Sequence, residues 1–171
     1  MLRDLVLAHK EHGRFALAEP LGVLLATAVE EVRRARAVGP GLVLVPVPSV
    51  PSVVRARGHD PLLRIVREAA AVLRRRGVRT SVVSALRVSG RPADQAGLDA
   101  SERARNLAGR FVVRSGAAPA LRTAVLVDDV ITTGATVREA QRALETAGTE
   151  VAGIAVVAAT RRRLLDGRGQ P

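Results

Sequence analysis

Cysteine is absent from this chain of 171 residues, which excludes disulfides and any thiolate-ligated metal within it. Aromatic residues are almost as scarce, at 1%. Proteins that grip single-stranded nucleic acid stack its bases on Phe, Tyr or Trp, and Phe15 and Phe111 are the only such rings here. Lysine occurs once, at Lys10, so arginine supplies the rest of the 27 basic residues. No stretch reaches the length of a membrane-spanning helix without an interrupting charge, and the segment after Met1 lacks a signal-peptide layout. A cytoplasmic protein without a membrane span is the expectation.

What the chain does have is aliphatic. Hydrophobic residues make up 47% of it, enough for a packed interior, and its length suits one domain better than two. The formal net charge of +11 favours polyanionic partners, whether nucleic acid, a membrane surface or a phosphorylated small molecule. Codon composition gives the same arginine bias without any selection for binding, so charge alone does not choose a partner.

Apolar spacing predicts a helix from about Leu17 to Ala37, stopped by Gly39-Pro40-Gly41. Leu42 to Val47 has no polar alternation, as expected for a strand covered on both faces. Asp60-Pro61 reads as a cap and first helical residue, opening a helix that ends near Gly77. Thr80 to Leu86 reads as a strand, and Arg87 to Arg110 as a polar stretch with a short helix begun by the capping-box pair Asp99 and Glu102. Strands are predicted at Phe111 to Arg114, Thr123 to Val127 and Val151 to Ala158, with a helix from Gly134 to Ala147. This alternation implies an α/β fold, an open and mostly parallel sheet with right-handed crossovers and helices on both faces. The expected layout is one domain over 1–160, with a helical region at 1–40 and an α/β core at 42–159, followed by a mobile basic tail at 161–171.

The segment Val125 to Thr136, VLVDDVITTGAT, carries the chemistry. A buried strand runs into two adjacent acids, which places Asp128 and Asp129 beyond the strand ends, where ligands gather in open α/β sheets. A short loop then brings the backbone amides of Thr132, Thr133, Gly134 and Ala135 to a helix N-terminus, where unpaired donors and the macrodipole favour a phosphate. Hydroxyls of Thr132, Thr133 and Thr136 add donors without adding charge. A Walker A loop requires a lysine, and Lys10 lies far from this turn in sequence; a G-x-G-x-x-G fingerprint is missing too.

Strand, acids, T-T-G loop and helix in this order resemble the signature of the type I phosphoribosyltransferases. The resemblance implies that Asp128 and Asp129 contact the ribose hydroxyls of 5-phosphoribosyl-1-diphosphate. It implies that Thr132, Thr133, Gly134, Ala135 and Thr136 hold its 5-phosphate, and that Mg2+ is carried chiefly by the diphosphate rather than bound directly by protein. Val45-Pro46-Val47-Pro48, Arg55-Ala56-Arg57-Gly58 and Gln95, Leu98, Arg103 and Asn106 ahead of Phe111 make the chain similar, more narrowly, to the ComF family. Many ComF-like chains open with a cysteine-rich zinc module, whereas this sequence starts at the helical region that would follow one. They often carry Gly-Phe-Asn where Gly58-His59-Asp60 stands here.

For the diphosphate the candidates are the Pro48 to Ser52 turn, with Pro48 and Ser49, and the arginines Arg55, Arg57, Arg87, Arg91 and Arg103. Arg87, Arg91 and Arg103 sit in the polar stretch where a mobile cover is expected by resemblance. Acceptor recognition falls by the same resemblance to a hood, for which Leu2 to Ala37 is the candidate. Asp60 reads as a helix cap rather than a catalytic acid, and His9 and His12 as solvated helix residues rather than zinc ligands. Two functions remain open. One is a phosphoribosyltransferase, a glycosyltransferase in class, acting on an unidentified acceptor. The other is a competence-related accessory protein that binds single-stranded DNA and keeps the pocket as a ligand sensor, because the ComF family is linked to DNA uptake. A homodimer is compatible with either.

Overall fold

The computed structural model describes residues 1–39, 41–49, 51–89, 109–117 and 123–159. Helix α1 (Leu2–Glu11) is followed by a short 3-10 turn (Phe15–Leu17) and α2 (Ala18–Ala35). Strand β1 (Gly41–Pro46), α3 (Pro51–Arg57), α4 (Pro61–Arg75) and β2 (Arg79–Val82) come next. Then follow β3 (Leu86–Val88), β4 (Phe111–Val113), β5 (Thr123–Ile131), α5 (Ala135–Thr146) and β6 (Glu150–Ala159).

Four strands form a wholly parallel sheet in the order β2-β1-β5-β6, and β3 and β4 form a separate antiparallel pair. The chain leaves β1 outward to β2 and leaves β5 outward to β6, in opposite directions. Right-handed crossovers therefore put α4 and α5 on opposite faces. The expected α/β architecture, an open parallel sheet flanked by helices, is the one observed. The reversal of direction between β1 and β5 makes a crevice at their C-terminal ends, the position where such sheets take their ligands.

The core explains why these elements form. Leu42, Leu44 and Val45 of β1 and Val125, Leu126 and Val127 of β5 are buried, as a doubly covered parallel sheet requires. Helix α4 lays Leu62, Ile65, Val66, Ala69 and Leu73 on this layer at helical spacing. Asp60 caps it through Leu63 N–H at 3.1 Å, so the cap reading holds. Helix α2 packs on α4 and on β6 through Leu21, Leu25 and Val29. Its approach to α4 depends on Gly22, where a Cβ would fall 2.5 Å from Glu68 Cβ.

Three expectations need correction. Thr80 to Leu86 is two strands in two sheets: Val83 N–H still bonds Leu44 O, but Ala85 N–H turns back to Val83 O at 2.8 Å and sends the chain into β3. Sequence does not show that corner, because it is set by which neighbouring strand each piece pairs with. The strand expected to end at Val127 runs on to Ile131, since β6 continues to pair with it at Asp128, Val130 and Ile131. His9 is not solvated; it is wholly buried, with Nδ1 3.2 Å from Arg14 O and Nε2 3.3 Å from Pro61 O. Folding α1 against α4 creates that environment. Among the described residues no group of three His, Asp or Glu side chains is placed to share a metal ion, and no helix is long and apolar enough to cross a membrane.

Candidate functional site at the C-terminal edge of the sheet

β1 makes its last pairing with β5 at Pro46 opposite Val127, and Val47 N–H adds one bond to Val127 O at 2.9 Å. Asp128 and Asp129 thus stand beyond the end of β1 while still inside β5. Past that point the acids satisfy strand amides themselves. Asp128 Oδ1 accepts from Asp129 N–H at 2.8 Å, and Asp129 Oδ1 accepts from Val130 N–H at 2.8 Å. Both carboxylates are buried.

Two buried acids side by side are electrostatically frustrated. Loss of solvent, and then the charge of Asp129, push the Asp128 carboxyl up to about 7. Opposing this is a cation that sequence reasoning set aside. Lys10, the only lysine, reaches from α1 to Asp129 Oδ2 at 2.8 Å. The separation of 119 residues hid the contact.

The loop after β5 has the form expected of an anion cradle. Gly134 is the N-cap of α5 at φ 74°, a left-handed conformation that glycine adopts without strain. Ala135 N–H bonds Thr133 Oγ1 at 3.3 Å, while the amides of Thr132, Thr133, Gly134 and Thr136 have no protein acceptor among the described residues. Open donors at a helix N-terminus, where the macrodipole is positive, favour an anion. Arg138, also missed from sequence, closes one side. Its Nη2 donates to Thr133 O at 3.0 Å, and its Nη1 lies 3.2 Å from where a Cβ on Gly134 would stand. One helical turn separates Gly134 from Arg138, so the periodicity of α5 was the available signal.

The remaining candidates among the described residues sit as follows. Pro48 and Ser49 follow β1 directly, and Ser49 Oγ donates to Asp60 Oδ1 at 3.2 Å, tying the end of β1 to the cap of α4. Arg55 is exposed on α3. Arg57 contacts both carboxylate oxygens of Glu11 at 2.7 Å, linking α3 to α1. Arg87 is exposed on β3. Arg91, Arg103, the predicted short helix and the basic tail lie outside the described residues. His59 bonds Arg57 O through Nδ1 at 2.9 Å and sets its ring edge-on to Phe15, with centroids 4.7 Å apart.

The β3–β4 pair, which roots the segment between Val88 and Phe111, is fastened to α5. Glu139 accepts from Phe111 N–H at 3.1 Å and from Arg142 at 2.7 and 2.8 Å, and Arg142 also donates to Phe111 O. The Arg142 guanidinium first, and the backbone donors next, hold the Glu139 carboxyl below its ordinary range. A depressed carboxyl contributes stability above its unfolded-state value and loses it as pH falls through the folded-state value. Glu139→Gln is therefore expected to cost about 1.5–3 kcal/mol near pH 7, with the gap narrowing in acid; urea unfolding at both pH values measures it.

The family model of the phosphoribosyl transferase domain matches residues 63–169, more than half of the chain. The chain belongs to the phosphoribosyl transferase domain family. None of the curated proteins matches it. The matched span takes in the acid pair and the anion cradle of this phosphoribosyltransferase-type protein, but not α1, and so not Lys10.

Proposed function

We propose that the chain binds 5-phosphoribosyl-1-diphosphate at this edge, and transfers its phosphoribosyl group to a nucleophilic acceptor with release of diphosphate. The observation that carries this reading is the left-handed turn at Gly134, whose open amides adjoin a buried acid pair at the switch point of the sheet. The 5-phosphate sits on the amides of the Thr132 to Thr136 loop, with Arg138 beside it. The ribose hydroxyls lie on Asp128 and Asp129. Pro48 and Ser49, following β1, face the diphosphate.

Breaking the bond at C1 of the ribose builds positive charge on the sugar and negative charge on the departing diphosphate. Carboxylates close to the ring stabilise the first, because they act in a site from which water is excluded. Magnesium, if carried in by the diphosphate, would supply positive charge to offset the second. The donors offered here suit that ion: among the described residues Asp128 uses only Oδ1, leaving a second carboxylate oxygen, and hard oxygen ligands are what magnesium takes. Helix α1 with the turn at Phe15 forms the hood, because α2 is committed to the core through Leu21, Leu25 and Val29. Within the family, the motifs from Val45 to Phe111 and the signature loop support membership of the ComF group.

A thermal-shift titration with phosphoribosyl diphosphate and magnesium tests the reading. Ligand at a hundred times its dissociation constant is expected to stabilise the protein by about 2.7 kcal/mol. Ribose without phosphate is expected to give no shift. Absence of any shift with the full ligand removes the proposed function.

A further inference from the structure

Helix α1 ends on three consecutive side chains that each reach a different part of the core. His9 lies between the carbonyls of Arg14 and Pro61. Lys10 meets Asp129, and Glu11 meets Arg57. The ammonium of Lys10 is thus delivered by a helix clamped on both sides of it, with the buried His9 as one clamp. The Lys10 side chain is 36% exposed, whereas that of Asp129 is 8% exposed. The pair therefore sits at the mouth of the crevice, with its acid inside.

The two acids are unequal in consequence. Asp129 has one oxygen on Val130 N–H and the other on Lys10, which defines the plane of its carboxylate. Asp128 has one oxygen on the Asp129 amide and, among the described residues, no cation of its own. An ionised carboxylate offers about four lone-pair sites, and Lys10 and Val130 N–H occupy two, so Asp129 retains acceptors for a hydroxyl. Without the ammonium, two adjacent buried carboxylates repel, and one takes up a proton or turns away. Either response removes an acceptor from the sugar.

We propose that Lys10 is a positioning residue for sugar recognition: its ammonium stays on Asp129 Oδ2 when ligand is bound and holds that carboxylate ready to accept a ribose hydroxyl. The inference rests on the reading of the site given under the proposed function. It differs from the notion of a plug, in which Lys10 occupies the place of the ligand and must leave, and the two make opposite predictions for affinity.

The test is titration calorimetry of the full chain with ribose 5-phosphate and with 2,3-dideoxyribose 5-phosphate, for the parent, Lys10→Met and Lys10→Arg. Lys10→Met is expected to weaken ribose 5-phosphate about tenfold and to leave the dideoxy compound unchanged. Lys10→Arg, which restores the cation, is expected to recover most of the loss. Equal weakening of both ligands makes Lys10 a general electrostatic or folding contributor and overturns the proposal, as does tighter binding by Lys10→Met. Parent binding of ribose 5-phosphate with no effect of Lys10→Met overturns the role of Lys10 alone. Failure of the parent to bind ribose 5-phosphate overturns this role together with the reading on which it rests.

Discussion

Asp128→Asn is expected to stabilise the ligand-free protein, and to do so increasingly as pH rises. Burial and the neighbouring Asp129 carry the Asp128 carboxyl from 3.8 up to about 7. For a raised carboxyl the favourable contribution is complete below the unfolded-state value and is lost as pH rises through the folded-state value. The parent must therefore hold an unfavourable charge in the fold above neutrality, while the asparagine variant has none to hold. The advantage of the variant should grow by roughly 2–3 kcal/mol between pH 5 and pH 8 and then level off. Asparagine keeps an oxygen for the Asp129 amide, so local geometry survives. Urea unfolding of both proteins across this range measures the difference. A gap that stays constant with pH contradicts the assignment of a frustrated carboxyl at Asp128. Site residues that lower stability in this way are common where function requires a charge that folding does not favour.

Gly134→Val is expected to weaken binding of phosphoribosyl diphosphate by about a hundredfold, or roughly 2.7 kcal/mol, while costing the fold less. At φ 74° a β-branched residue is sterically strained, by roughly 1–2 kcal/mol. The new side chain also enters the space of Arg138, whose Nη1 lies 3.2 Å from the Cβ position. Relief of either strain rotates the amides of Thr133 and Gly134 away from the direction in which they face a phosphate. Titration calorimetry with the ligand and magnesium reports the loss, and thermal unfolding reports the smaller cost to stability. Undiminished affinity in a folded variant means that the phosphate is held elsewhere.

These two positions also show how much was legible beforehand. The strand, turn and helix around Gly134 could be read from sequence because all the parts are local: a strand, a glycine that tolerates a left-handed turn and a helix start follow one another within twelve residues. The helix spacing of α4, the cap at Asp60 and the apolar strands β1 and β5 were visible for the same reason. Errors occurred where a neighbour in space decides. The corner at Ala85 arises because the chain on its two sides pairs in different sheets. β5 continues past Val127 because β6 is there to pair with it.

Sequence alone determined the class of fold and the local order of strand, turn and helix around Gly134, since hydrophobic period, turn chemistry and motif order are properties of short segments. Tertiary structure decided what surrounds them. It brought Lys10 across 119 residues to Asp129, buried His9 against Pro61, and turned Arg57 toward Glu11. Partners so distant in sequence become neighbours only when the sheet and its helices have packed, and the charge state of a buried acid depends on those neighbours rather than on its own residue type.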